Sequence, residues 1–115
     1  MAITDSDEAE VVQRLCEDVA ATLGVGYDAE IREHAARVRK FRNERDDYFE
    51  KVVEDVQQDF HDTFIHTTWP PCPLHQRHPL WYHDGFWVCE QGGSEIAPLG
   101  RLRDGLAVVP PDQTP

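Results

Sequence analysis

Every proline of this chain lies in its last 46 residues, from Pro70 to Pro115, and none occurs before them. A proline-free stretch of 69 residues followed by eight prolines admits long helices first and only short, turn-rich elements afterwards. Other residue types shift at the same place. Residues 1–68 carry 17 acids and 8 bases, whereas residues 69–115 hold five of the seven glycines, all three tryptophans and eight charged side chains. The expected organisation is therefore α+β: a helical hairpin region over 1–68, a small β module over 69–109 and a flexible tail over 110–115.

The first region opens with "TDSDEAEVVQRLCEDVAATLGVG". Thr4, Asp5 or Ser6 serves as N-cap, and the acids of the first turn suit the helix dipole. Val12, Leu15, Cys16, Val19 and Leu23 share a face at helical spacing, and Gly24 and Gly26 end the helix. Cys16 reads as a core thiol. Asp28 then caps a second helix predicted to run unbroken to about Phe64, with apolar positions at Ile31, Ala35, Val38, Phe41, Tyr48, Phe49, Val52, Val56, Phe60 and Phe64. Such a helix spans about 50 Å at 1.5 Å per residue. The first helix covers about half of it, so the remaining stripe is expected to contact a second subunit or a protein partner.

Between Arg37 and Arg45 the second helix is basic, and Arg42 and Arg45 interrupt the apolar stripe. The expectation is a solvated face with pairs such as Asp28–Arg32 and Glu33–Arg37; the alternative is a docking face. His34 and His61, amid charges, are expected to be solvated.

The second region carries "CPLHQRHPLWYHDGFWVC", Cys72 to Cys89, with two of three cysteines and three of six histidines. "LWYH" and "FWVC" flank Asp84-Gly85, a two-residue hairpin signal. "EIAPL" and "LAVV" are further candidate strands. Cys72 and His75 have knuckle spacing, Pro73 fixes the turn, and the hairpin returns Cys89 towards them. Sulfur and imidazole in that arrangement point to a structural Zn2+. The odd cysteine count makes a poor disulfide framework.

Over residues 69 to about 102 the pattern resembles a zinc ribbon: knuckle, hairpin, second knuckle, further strand. It departs at Gly92, where a ribbon places its fourth ligand. The expected metal ligands are Cys72, His75, His78 and Cys89, with His83 as runner-up to His78. Glu90 or a water is a weaker choice, and His66 a possible replacement. Two-Cys, two-His fingers and zinc deaminases fit less well, because Pro79 follows His78 directly and no His-x-Glu precedes Pro71-Cys72.

Trp81, Tyr82, Phe86 and Trp87 are expected either to pack over the metal or, with Arg42 and Arg45, to form an interaction surface. The net charge of −11 disfavours phosphate backbones and anionic lipids. No stretch approaches the roughly 20 apolar residues of a membrane span, and the acidic "MAITDSDEAEVV" lacks the pattern of a signal peptide. A cytoplasmic (or virion-associated) setting is expected. These features point to a small non-enzymatic zinc protein, an adaptor or assembly component of the size found in bacterial or phage complexes. The alternatives are a nucleic-acid-associated regulator, using Arg37–Arg45 with Arg77, Arg101 and Arg103, and a zinc hydrolase using Glu90 or Asp84. No small-molecule substrate is otherwise expected.

Overall fold

The computed structural model describes residues 3–24, 26–65, 69–73, 79–90 and 93–106. Helices α1 (Asp5–Leu23), α2 (Asp28–Arg39) and α3 (Arg45–Asp59) come first, and α3 continues into a π-helical turn, Phe60–Ile65. Strands β1 (Leu80–His83), β2 (Phe86–Cys89) and β3 (Glu95–Pro98) follow, then a short helix α4 (Leu102–Leu106). The fold class is α+β, helices followed by a small antiparallel sheet, as the residue distribution predicts.

Of the three candidate caps of α1, Thr4 is the one used. Its hydroxyl accepts from the Asp7 N–H at 3.1 Å, and the Asp7 carboxylate accepts from the Thr4 N–H at 3.0 Å, a reciprocal capping box. That backbone bond from Thr4 is the largest of the causes holding the Asp7 carboxyl below its usual range. At the other end Gly24 takes a left-handed conformation. The second helix begins with Tyr27, not Asp28, at its N-cap position.

The predicted unbroken second helix is corrected: the chain leaves α2 after Arg39 and turns over Lys40–Glu44 before α3 starts. Phe41, on the expected stripe, sits in that turn 76% exposed. Two arginines hold the turn against the start of α1. Arg39 reaches Asp5 at 2.7 Å, Glu8 at 2.8 Å and the Ile3 carbonyl at 3.0 Å. Arg45 reaches Asp7 at 3.2 Å and Glu10 at 2.6 Å, and lies over the Phe49 ring. With the helix broken, both halves pack against α1, and the stripe closes on itself. Ile31, Ala35, Val38, Tyr48, Phe49, Val52, Val56 and Phe60 are all buried within the chain. The mismatch in helix length that argued for a second subunit is thereby removed. The Tyr48 hydroxyl donates to the Ala35 carbonyl at 3.0 Å, tying α3 to α2.

The hairpin forms where the sequence places it. Leu80 pairs with Cys89 and His83 with Phe86, around Asp84 (φ 49°) and Gly85 (φ 90°). Two consecutive positive φ angles define the turn that matches strand twist, and glycine takes the second without steric cost. β2 also pairs with β3, so the order is β1-β2-β3, with an irregularity between Trp87 and Val88. "EIAPL" thus supplies a strand. "LAVV" begins with Leu106, the last residue of α4; residues 107–109 lie outside the described ones.

The composition change near residue 68 coincides with the change from helix to strand, yet one apolar cluster runs through both. Val11, Leu15, Val19, Val53 and Phe60 join Trp69, Leu80, Trp87, Leu99 and Leu102 in it. Aromatic rings connect the two halves in sequence: Tyr27–Phe60 at 5.1 Å, Phe60–Trp69 at 5.2 Å, Trp69–Trp87 at 5.7 Å and Tyr82–Trp87 at 6.3 Å between centroids.

Candidate metal centre

Cys72 and Cys89 are each 1% exposed and belong to the common core. Strand pairing brings them to one end of the sheet. The Leu80 N–H donates to the Pro70 carbonyl at 2.8 Å, and Pro71 bridges Pro79, which sets the Cys72 segment along the outer side of β1. Cys89 lies opposite Leu80, at the end of the hairpin away from its turn. Beyond Cys89 the chain reverses: the Gly93 N–H donates to the Cys89 carbonyl and the Cys89 N–H to the Ser94 carbonyl, both at 2.8 Å. No disulfide links the three cysteines.

The other two expected ligands, His75 and His78, lie outside the described residues, as do Arg77, His66 and Gly92. Among the described residues, no three His, Cys, Asp or Glu side chains gather as a metal site. His83, the runner-up ligand, is not brought beside the cysteines. It is exposed at the hairpin turn, beside Asp84 at 3.3 Å, and three residue pairs from Cys89 along the strand. It shares the outward face of β1 with the exposed Trp81, whereas Cys89, opposite Leu80, lies on the buried face, so strand alternation turns the two side chains apart. The same register puts Asp84, one acid considered for a hydrolytic site, at the far end from both cysteines.

What fixes the sheet to the helices is a pair of tryptophans gripped by α1. Asp18 is fully buried, and its carboxylate accepts from the Trp87 indole N–H at 2.7 Å, the Gly100 N–H at 2.8 Å and the Leu102 N–H at 2.9 Å. Leu102 opens α4, so one of these bonds satisfies a backbone donor that a helix start leaves unpaired. One turn along α1, the Thr22 hydroxyl accepts from the Trp69 indole at 2.9 Å and donates to the Asp18 carbonyl at 2.8 Å. Gln57 of α3 completes the attachment, donating to the Trp69 and Leu80 carbonyls at 3.2 and 2.8 Å. Burial pushes the Asp18 carboxyl above its ordinary value, opposed by its three N–H donors.

This grip corrects the expected interaction surface. Trp87 is fully buried and its one polar atom is satisfied by Asp18, so it offers nothing to a partner. Tyr82 and Phe86 are half-buried, while Trp81 is 53% exposed. Trp81 and His83 share the outward face of β1, as alternation requires. Arg42 pairs with Asp47 at 3.3 Å and Arg45 with Asp7 and Glu10. Arg37 pairs with Glu33, Arg39 with Asp5 and Glu8, and Arg101 with Asp104. Among the described residues, these five arginines of the expected patch are thus interleaved with carboxylates.

His34 is also corrected, from solvated to buried: it is 8% exposed and its Nε2 lies 2.8 Å from the Asp59 carboxylate. His61 is exposed, as expected. Cys16 packs against the core from a partly exposed position, and burial, then the neighbouring Asp28, pushes its thiol up to about 11. Alkylation of the folded chain by iodoacetamide at pH 8 is therefore expected to be slow at Cys16 and to accelerate towards pH 11, read by peptide mapping. Rapid labelling at pH 8 would show that Cys16 leaves this environment.

Among the described residues, no helix is long and apolar enough to cross a membrane. No family model, curated protein or solved structure matches the chain.

Proposed function

We propose that the chain is a small non-enzymatic zinc protein, in which a structural Zn2+ held by Cys72, His75, His78 and Cys89 pins one end of the β-sheet. The observation that supports this is the joint position of the two cysteines. Both are buried, both lie at the end of the hairpin away from its turn, and the segment carrying the two histidines connects Cys72 to β1. Two thiolates and two imidazoles make a full tetrahedral set, closed to water and suited to a structural role. A reducing, cytoplasmic setting keeps such thiols available. The rest of the chain serves as an adaptor or assembly component that binds another protein.

Native mass spectrometry of the untagged protein tests the metal. One zinc per chain is expected, absent from Cys72→Ser and from Cys89→Ser. The same spectrum reads subunit number, and a monomer is expected because the helical stripe is covered within the chain. A folded, metal-free wild-type chain would sink the zinc reading.

A further inference from the structure

The dipeptide Asp-Gly occurs twice in the chain, at Asp84-Gly85 and at Asp104-Gly105. Its chemistry follows from what glycine lacks. Without a Cβ, the glycine nitrogen is sterically open to the carboxyl of the aspartate before it. Attack closes a five-membered succinimide, and water reopens that ring either to aspartate or to isoaspartate, in which the main chain runs through the side chain. The fold puts the two copies in opposite settings.

Asp84 and Gly85 form the tip of the β1–β2 hairpin, between the paired residues His83 and Phe86. The Asp84 side chain is 85% exposed. A methyl group on Gly85 would meet nothing within 4 Å, so a ring has room there. Asp84 is also the one non-glycine residue with a positive φ among those described, at 49°. That conformation costs energy in any residue with a Cβ, which lowers the resistance to leaving it. The His83 Nε2 lies 3.3 Å from the Asp84 carboxylate, and an imidazolium can pass a proton to a departing oxygen.

Asp104 and Gly105 lie within α4. A methyl group on Gly105 would sit 2.6 Å from the Ile96 carbonyl oxygen and 3.0 Å from the Ala97 Cβ, so β3 closes over this glycine. The Arg101 guanidinium anchors the Asp104 carboxylate at 2.9 and 2.7 Å, and it has no proton to give up. Ring closure at this copy waits until α4 opens and leaves β3.

We propose that Asp84-Gly85 is a site of spontaneous covalent modification in the folded protein, isomerising to isoaspartate, and that the fold protects the identical dipeptide at Asp104-Gly105. In the first step the Gly85 nitrogen bonds to the Asp84 Cγ, and the carboxyl hydroxyl leaves with the nitrogen's proton as water. In the second, water adds to the Asp84 main-chain carbonyl carbon and the bond from that carbon to the Gly85 nitrogen breaks. One water is released and one is consumed, so the mass is unchanged. The product has an extra main-chain carbon in a two-residue turn, which no longer fits the pairing of His83 with Phe86. The inference is independent of the zinc and of any partner.

The test holds the folded full chain at pH 7.4 and 37 °C for several weeks, beside a second sample in concentrated guanidinium chloride. Peptide mapping with electron-transfer fragmentation counts isoaspartate at each position. In the folded chain, position 84 should accumulate at least about fivefold more than position 104, where reaction requires local opening. In denaturant that protection is gone, and the two positions should agree within about twofold. Equal accumulation in the folded chain, or faster accumulation at 104, would overturn the proposal. So would the same preference for 84 in denaturant, or a folded chain that stays unmodified at 84 while the denatured one reacts.

Discussion

Asp18→Ala is expected to destabilise the fold by about 3–5 kcal/mol, because it leaves three buried N–H donors without an acceptor at once. For a chain of this size the melting temperature should fall by about 10–20 °C. A cycle with Trp87→Phe, which removes the indole N–H and keeps the ring, should show coupling of about 1–2 kcal/mol. If Asp18→Ala lowers the melting temperature by only a degree or two, the carboxylate does not hold the sheet to α1. The pH dependence has a definite sign. Burial makes the folded carboxyl easier to protonate than its usual 3.8, so the folded state holds that proton to higher pH than the unfolded state. The stability that wild type holds over Asp18→Ala should therefore be greatest at or below pH 3.8. It should fall as pH rises to the folded value and stay level above it. Denaturant melts of both proteins across pH 3–7 read this difference with the other carboxylates cancelled.

Removal of the metal is the second large effect. On the zinc reading, chelation should lower the melting temperature by about 15 °C or more, since metal affinity at a closed thiolate–imidazole site is folding free energy. Added Zn2+ should restore it and Mg2+ should not. Because Cys89 and Trp87 share β2, the buried indole should report the loss as a red shift in fluorescence. Binding should fail below about pH 6, as imidazoles and thiolates take up protons. An unchanged melting curve after exhaustive chelation would leave the two cysteines as core thiols.

How much of this was legible depends on how local each signal is. The hairpin was readable because Asp84-Gly85 and its two flanks form one contiguous ten-residue pattern. The caps of α1 were readable for the same reason. The turn at Lys40–Glu44 was not, because what stabilises it lies 31 to 38 residues away: Arg39 and Arg45 find their carboxylates on the first turns of α1. Those acids looked like dipole compensation alone, and they serve both roles.

Residue type points outward for His34, since histidines on charged helices are mostly solvated, and singles out nothing at Asp18. A signal was present in both cases. Val11, Leu15, Asp18 and Thr22 follow one helical face, and His34 lies between Ile31 and Val38, so position placed both inward. At the candidate metal centre, spacing nominates Cys72 and Cys89, and burial and strand pairing bring them to one end of the sheet. Strand alternation turns His83 to the other face from Cys89.

The contact between Asp18 and Leu102 closes a loop of 84 residues. A chain made from its N-terminus therefore synthesises α1 long before the donors for its buried carboxylate exist. Until Gly100 and Leu102 emerge, the face carrying Val11, Leu15 and Asp18 lacks the sheet and α4 that cover part of it. Completion of the fold is thus a late, long-range event, of the kind that slows folding relative to a helical bundle of equal size. A chain truncated before residue 100 should expose this face to chaperones, and stopped-flow refolding should show Trp87 reaching its native emission only when α1 is docked.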